Sequence, residues 1–189
     1  MQLPPKLEES FRLLSKGRHI SSLDGEVFNS LTQETDRYRA VFDALGYELV
    51  DDPQGFFYFN GTRNGLNRTV SEFALFTFIM VDWLSDNDTS IEIGLFGTVR
   101  PLEELPHLQS DRYRGYMRQA GGDDADNLRR IIQRMDGAGF LRLYDEKIQF
   151  LAPTRRILKV CLALGKKSAE VATMPVIEND DEEQEGAIA

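Results

Sequence analysis

Residues 33–59 read QETDRYRAVFDALGYELVDDPQGFFYF, and this stretch decides the fold. Four apolar side chains recur along its first part: Tyr38, Val41, Phe42 and Leu45. Their i, i+3, i+4, i+7 spacing places them on one face of a helix, and Gly46 is suited to end that helix. Residues 47–50 and 56–59 are rich in strand-forming side chains and flank a turn-forming DDPQG. The stretch therefore predicts a helix followed directly by a β-hairpin.

Two further helices are predicted before this one. Residues 5–16 carry an apolar stripe of Leu7, Phe11 and Leu14 and stop at Gly17, and a brief helix covers about residues 25–31. Three helices followed by a hairpin is the order of a winged helix, a variant of the helix-turn-helix whose third helix and wing commonly contact DNA or protein.

The same order recurs in the second half of the chain. Thr69 to Glu72 fits a capping box that opens a helix reaching about Asp86. Between residues 73 and 84 only Thr77 and Asp82 are not apolar, so this central helix needs cover on all sides. We expect it to lie between the two units or in a subunit interface.

The remaining elements complete a second unit. Helices are expected at about residues 101–108, 111–119, 124–136 and 154–164, and a hairpin at 140–144 and 147–151. The hairpin turns at Asp145-Glu146. We predict a mainly α fold with small β-hairpins, an α+β class, built from tandem winged-helix domains at residues 1–68 and 69–172.

Charge is distributed unevenly along the 189 residues, whose formal net charge is −9. Residues 123–172 hold 10 basic and 7 acidic side chains, whereas residues 173–189 hold 6 acidic side chains and no basic one. The composition of residues 173–189 offers little apolar surface to offset the entropy of ordering, so we predict a disordered acidic tail.

Composition also bounds the chemistry. One cysteine and two histidines cannot form an internal disulfide or a Cys/His zinc cluster. The chain begins without a basic segment and apolar run, and nothing approaches the roughly 20 apolar residues of a membrane span. We therefore expect a cytoplasmic protein with no membrane segment, no structural metal and no cofactor.

Signatures of catalysis are missing from the sequence. It contains neither a Gly-x-x-x-x-Gly-Lys phosphate loop nor a Gly-x-Ser-x-Gly elbow. Cys161 falls on an apolar helix face, and His19 follows a helix-stopping glycine, so a buried thiol and a structural hydrogen bond are favoured over catalytic roles. The carboxylate pairs at residues 51–52, 103–104 and 123–124 fit turns and helix starts. We predict that the chain is not an enzyme.

Three motifs resemble the MukE-type subunit of bacterial MukBEF and MksBEF condensins. They are Lys16-Gly17-Arg18-His19-Ile20, the segment PQGFFYF at residues 53–59, and MPVIEN at residues 174–179, in which Val176 is an extra residue. The resemblance spans about residues 10–180 and is stronger to the compact MksE-like branch. It implies two winged-helix domains, a homodimer, binding to a kleisin F subunit and, through the kleisin, to an SMC-like ATPase.

Eight basic side chains in the second unit are candidates for contact with double-stranded DNA. They are Arg129, Arg130, Arg134, Arg142, Lys147, Arg155, Arg156 and Lys159. Such a set suits phosphate recognition, but it also suits a solvated face paired with Asp126 and Asp136. The resemblance favours DNA contact and a nucleoid-associated location. The net negative charge predicts weak binding without the ATPase and kleisin.

The four consecutive aromatic residues of the first hairpin are candidates for a partner-binding surface. Phe56, Phe57, Tyr58 and Phe59 could stack on single-stranded nucleic acid or contact a protein, and alternation along a strand is expected to turn half of them inward. We favour a protein partner.

Two other functions remain open from the residues alone. A homodimeric winged-helix transcriptional regulator would read DNA with the helix at residues 33–45, but Glu34, Asp36 and Asp43 weigh against its two arginines. A nuclease of a plasmid-defence system would use Asp145-Glu146-Lys147, which a two-residue turn explains equally well. We favour an accessory subunit that helps hold DNA for chromosome segregation or plasmid defence.

Overall fold

The computed structural model describes residues 3–61, 66–159 and 161, and the side chains of residues 66–68 are left aside. The first unit contains α1 (Leu7–Ser15), β1 (Ile20–Ser21), a 3-10 turn (Ser22–Asp24), α2 (Glu26–Gln33), α3 (Thr35–Ala44), β2 (Glu48–Asp52) and β3 (Phe56–Asn60). Strand β3 lies between β1 and β2 and is antiparallel to both. The predicted hairpin is confirmed, and β1 adds a third strand to it.

The second unit has a matching order. It contains α4 (Leu66–Asp86), a π-helical turn (Glu92–Phe96), β4 (Arg100–Pro101), 3-10 turns (Leu102–Glu104 and Pro106–Leu108), α5 (Asp111–Gln119), α6 (Ala125–Gly137), β5 (Leu141–Tyr144), β6 (Lys147–Phe150) and a helix at residues 154–159. Strand β6 pairs with both β4 and β5 in antiparallel fashion. In each unit the last strand of the hairpin is the centre of a three-stranded sheet.

Each unit has its own hydrophobic core. Helices α1 to α3 and the first sheet enclose one cluster, in which Tyr38 and Phe42 of α3 are fully buried. Helices α4 to α6 and the second sheet enclose the other, in which Ile131 and Met135 of α6 are fully buried. The predicted α+β class and the α6 stripe are confirmed. The α3 stripe is confirmed except at its end, because α3 stops at Ala44 and Leu45 is 58% exposed.

The hairpin turns follow the expected chemistry. Asp145 and Glu146 have φ of 48° and 54°, as a two-residue type I′ turn requires. Gly46 and Gly139, at φ of 80° and 79°, end α3 and α6 and lead into the two hairpins. Their backbone N–H groups donate to Asp43 and Asp136 at 2.9 Å and 3.0 Å, respectively.

Two local predictions were wrong. Residues 101–108 do not form one helix, because Arg100–Pro101 pairs with β6 and Pro106 starts a separate 3-10 turn. Helix α4 begins at Leu66, so Thr69 lies within the helix and cannot cap it. A short strand of two residues carries no alternating pattern, which is why β4 left no signal in the sequence.

Within this chain α4 is covered only in part. Phe76, Ile79 and Met80 are fully buried against the second core, as expected for a central helix. Val70 and Phe78 remain 39% and 38% exposed, however. The helix thus keeps an accessible apolar strip.

Among the described residues, none of the helices combines the length and apolar character needed to cross a bilayer. The acidic tail at residues 173–189 and the end of the predicted helix at 154–164 lie outside the described part of the chain.

Candidate functional site

The motif at residues 16–20 forms the joint between the two units. The Arg18 guanidinium donates through Nη1 to the backbone carbonyls of Asp136 and Gly137, at 3.1 Å and 3.0 Å. These carbonyls lie at the C-terminal end of α6, where helical carbonyls lack partners and a positive charge is favourable. Asp24 holds the same guanidinium from the first unit, with its Oδ1 2.9 Å from Nε. Arg18 therefore ties one unit to the end of a helix in the other.

His19 continues this joint. Its backbone N–H donates to the carbonyl of Ala138 at 2.9 Å, and its ring Nδ1 lies 3.3 Å from the same oxygen. Because a carbonyl only accepts, Nδ1 carries the proton and Nε2 accepts from the Arg156 guanidinium at 2.6 Å. Burial, with a smaller contribution from Arg156, lowers the pKa of His19 to about 4. The predicted structural role of His19 is confirmed.

Gly139, two residues after the end of α6, lies directly against the backbone of His19. A Cβ at this glycine would press directly on the His19 carbonyl oxygen and lie 3.5 Å from its nitrogen. Only glycine leaves room for this contact while also adopting a positive φ of 79°. The two backbones can therefore approach this closely only because residue 139 is glycine.

The aromatic run on β3 is buried more deeply than alternation predicted. Phe57 and Phe59 face the first core, and Phe56 is fully buried on the other face of the strand. Tyr58 is half-buried, with the Arg156 guanidinium 3.6 Å from its ring centroid and the His19 ring at 5.3 Å. The expectation that half of the run would remain open was wrong, because residues of the joint cover the second face. Of the four, Tyr58 alone keeps appreciable accessibility.

A groove of about 810 Å³ opens where the two units meet, and we call it the junction groove. Its apolar lining includes Phe59, Val70, Phe73, Phe140 and Ile157. Its charged lining is Lys16, Arg134, Arg156, Lys159 and Asp52. The groove therefore combines apolar walls with four basic side chains and one carboxylate.

The eight predicted DNA-contacting residues do not all line the same cavity. Arg134, Arg156 and Lys159 line the junction groove, whereas Arg129 and Lys147 line a separate cavity of about 790 Å³. That second cavity also carries acidic side chains, namely Glu103, Asp126, Asp145 and Glu146. The structure thus divides the set into groups with different electrostatic surroundings.

Ion pairs engage three members of the set. Arg129 holds Glu146 through two contacts of 2.8 Å and 2.6 Å, and Arg134 lies 2.5 Å from Glu72. Arg155 holds Glu92, with one contact of 2.7 Å.

The sequence suggested Asp126 and Asp136 as the partners of these arginines, whereas the partners found are Glu146, Glu72 and Glu92. The Asp136 carboxylate instead accepts from the backbone N–H of Leu143 at 3.1 Å. Of the remaining members, Arg156 is held in the joint by His19 and Tyr58, and the other four are less constrained. Arg142 lies over the Tyr144 ring at 5.4 Å, and Lys147, Lys159 and Arg130 are exposed.

The histidine and the cysteine of the second unit both contact backbone carbonyls. His107 is fully buried, its Nε2 lies 3.1 Å from the Phe76 carbonyl, and burial lowers its pKa to about 4. Burial raises the pKa of the Cys161 thiol, which donates to the Ala74 carbonyl at 3.4 Å. Within the described part of the chain, no three His, Cys, Asp or Glu side chains are placed to hold a metal ion.

Sequence reasoning had not assigned roles to Arg18 or Lys16, and it gave Gly139 only the role of ending a helix before its hairpin. Arg18 lies in a motif that carried the family resemblance, but nothing local shows that its partner is a helix end 118 positions away. The one sequence feature that could have drawn attention to Arg18 is its position directly after Gly17, which ends a helix.

Two units with the same order of helix, short strand, two helices and hairpin are thus joined by hydrogen bonds from Arg18, His19 and Arg156. A scan against family models matches residues 5–162 to the condensin complex protein MksE. The chain therefore belongs to the MksE family, whose members are non-catalytic accessory subunits of a condensin complex. Comparison with curated protein sequences gave no match. The resemblance noted in the sequence is confirmed.

Proposed function

We propose that this condensin subunit is a tandem winged-helix adaptor, with domains at residues 1–68 and 69–172, that binds a kleisin and helps hold DNA beneath an SMC-like ATPase. Family membership and the repeated order of helix, short strand, two helices and hairpin support this proposal. The observation that supports it is the hydrogen-bonded joint at residues 16–20, because an adaptor that positions a kleisin and DNA together must hold its two domains in a defined arrangement.

The kleisin is assigned to the first domain. Its aromatic run is mainly structural, since Phe57 and Phe59 pack in the first core and Phe56 is buried against the joint, and direct contact with a partner falls to Tyr58. Homodimerisation is assigned to the accessible strip on α4, where Phe78 is 38% exposed. Apolar side chains of this kind are suited to interfaces because their burial is favourable on association.

Tagged protein purified from its host should retain an F-like kleisin and an SMC-like ATPase. Phe78→Glu should convert the dimer to a monomer in size-exclusion chromatography with light scattering, without loss of the kleisin. Repeated recovery without either partner would contradict the adaptor role.

We assign DNA contact to the second domain and rank six of its eight candidates by how free their charges are. Arg142 and Lys147 are exposed on the β5–β6 hairpin, and Arg130 and Lys159 are exposed nearby in sequence. Arg129 and Arg155 contribute less, because Glu146 and Glu92 already neutralise them. Phosphate contacts from the free group would release counterions and give a salt-dependent interaction.

The hairpin pair supplies the sharper test of DNA contact. Arg142→Glu with Lys147→Glu should weaken DNA association of the assembled complex and lower the slope of log affinity against log salt by about two, one for each phosphate contact. Arg12→Glu is a control, because Arg12 is exposed on α1 of the first domain. An unchanged slope in the double variant would exclude the hairpin from DNA contact. Arg156 is avoided, since charge reversal there would also disrupt the joint.

The transcriptional regulator receives less support from the structure. Helix α3 would have to present Arg37 and Arg39 to DNA, yet Arg37 is paired with Glu34 and Arg39 lies 3.3 Å from Asp36. Paired arginines approach phosphates poorly because their carboxylate partners repel the backbone.

A further inference from the structure

The junction groove has the dimensions and lining of a peptide site. Its volume of about 810 Å³ falls within the range of ligand pockets. Phe73, Phe140 and Ile157 lie almost fully buried in its walls, at 3%, 9% and 6% exposure, while Val70 is 39% exposed. A short apolar segment in the groove would therefore cover the exposed Val70, and this burial of apolar surface favours binding.

The charges around the groove favour an acidic occupant. Arg134 is offset by Glu72, at 2.5 Å. Arg156 contacts a neutral His19 and the face of Tyr58, so neither contact cancels its charge. Lys16 and Lys159 are exposed. Against these stands Asp52, whose carboxylate accepts from the backbone N–H of Gln54 at 3.0 Å. The lining consequently keeps an excess of positive charge.

The chain itself contains a segment of matching chemistry. Residues 174–177 read Met-Pro-Val-Ile, and they are followed at 178–185 by ENDDEEQE, with six carboxylates and no basic residue. An apolar group followed by acidic side chains fits apolar walls bordered by lysine and arginine. We propose that residues 174–185 bind in the junction groove of their own chain, with Val176 and Ile177 against the walls and the carboxylates near Lys16 and Lys159.

The segment between the groove and residues 174–185 is long enough to let them reach it. Arg156, Ile157 and Lys159 of the groove lie within five residues of Cys161, the last residue described. Residues 162–173 can span up to about 40 Å, against a radius of gyration of roughly 15 Å for a domain of this size. A tethered segment meets its site at an effective concentration on the order of millimolar, so even a weak contact forms within one chain.

Such binding would also cover Lys159, one of the free cations assigned above to DNA, and this one consequence rests on the proposed DNA contact. The proposal does not rest on the adaptor function, since the contact needs no partner. It can therefore fail while the adaptor function holds, and the reverse is also true.

The test uses the full chain with Cys161→Ser and Ala187→Cys, so that a nitroxide label can be placed beyond the acidic segment. We expect the methyl signals of Val70 and Ile157 to broaden beyond detection at low ionic strength and to return when the label is reduced. They should also return in 1 M salt, where the screening length falls to about 3 Å. Sharp signals at low salt with the active label would overturn the proposal.

Paired variants distinguish this site from general attraction. Lys16→Glu with Lys159→Glu should restore the signals, whereas Arg142→Glu with Lys147→Glu makes the same change in charge outside the groove and should leave them broadened. Neutralising the tail by Asp181→Asn, Glu182→Gln and Glu183→Gln should restore them without altering any described residue. Equal recovery in both charge-reversal pairs, or loss of broadening on dilution with unlabelled chain, would refute binding in cis.

Discussion

Replacing Gly139 with alanine tests whether the joint between the units depends on close backbone approach. The added Cβ would collide with the His19 carbonyl oxygen and lie 3.4 Å from the carbonyl carbon. Because the neighbour is backbone, the collision must move residue 19 as a whole. That movement would break its N–H bond to Ala138, now 2.9 Å long.

The first unit supplies a closely matched control. Gly46 has φ of 80°, against 79° for Gly139, and likewise donates its N–H three residues back to the end of a helix. A Cβ at Gly46 would meet no atom within 4 Å. Both substitutions therefore incur the same left-handed strain, about 1–2 kcal/mol, and only Gly139→Ala adds a collision.

The extra cost follows from the contacts that move. Overpacking of a close contact costs about 1–3 kcal/mol, and the lost hydrogen bond about 0.5–1.5 kcal/mol. Gly139→Ala should thus lower the free energy of unfolding by roughly 2–4 kcal/mol more than Gly46→Ala. Urea unfolding followed by circular dichroism measures both values. Equal losses in the two variants would show that the backbone approach at Gly139 contributes nothing to stability.

Two further predictions concern the same joint and its buried histidines. Because His19 and His107 both have pKa values lowered to about 4, the unfolded chain binds more protons between pH 6.5 and 4, and stability should fall as pH decreases through that window, by about 3 kcal/mol per histidine. Urea unfolding of His19→Gln should show a shallower decline than the parent, and an identical decline would argue against His19 as a contributor. Arg18→Ala should lower the free energy of unfolding by about 2 kcal/mol, because hydrogen bonds from a charged group to the α6 carbonyls are lost. The control Arg12→Ala, on an exposed face of α1, should change it by less than about 0.5 kcal/mol. Similar values for the two variants would contradict the role of Arg18 in the joint.

The sequence by itself determined the regular elements and the family. The stripe of Tyr38 and Phe42 and the stripe of Ile131 and Met135 each repeat with the helical period, so their burial could be predicted without knowing what they pack against. The Asp145-Glu146 turn was equally local. Such patterns can be recognised in the sequence because they depend on residues only a few positions apart.

Tertiary structure decided how the charged and aromatic residues are used. Arg155 finds Glu92 at a separation of 63 residues, and Arg156 finds His19 at a separation of 137. These pairings depend on how two separately predicted units dock, and no periodicity encodes docking. For the same reason the aromatic run on β3 was expected to be half open: alternation gives the two faces of a strand, but only packing shows that the joint covers the second face. The positive residues that the sequence grouped together are consequently divided between a joint, several ion pairs and an exposed hairpin.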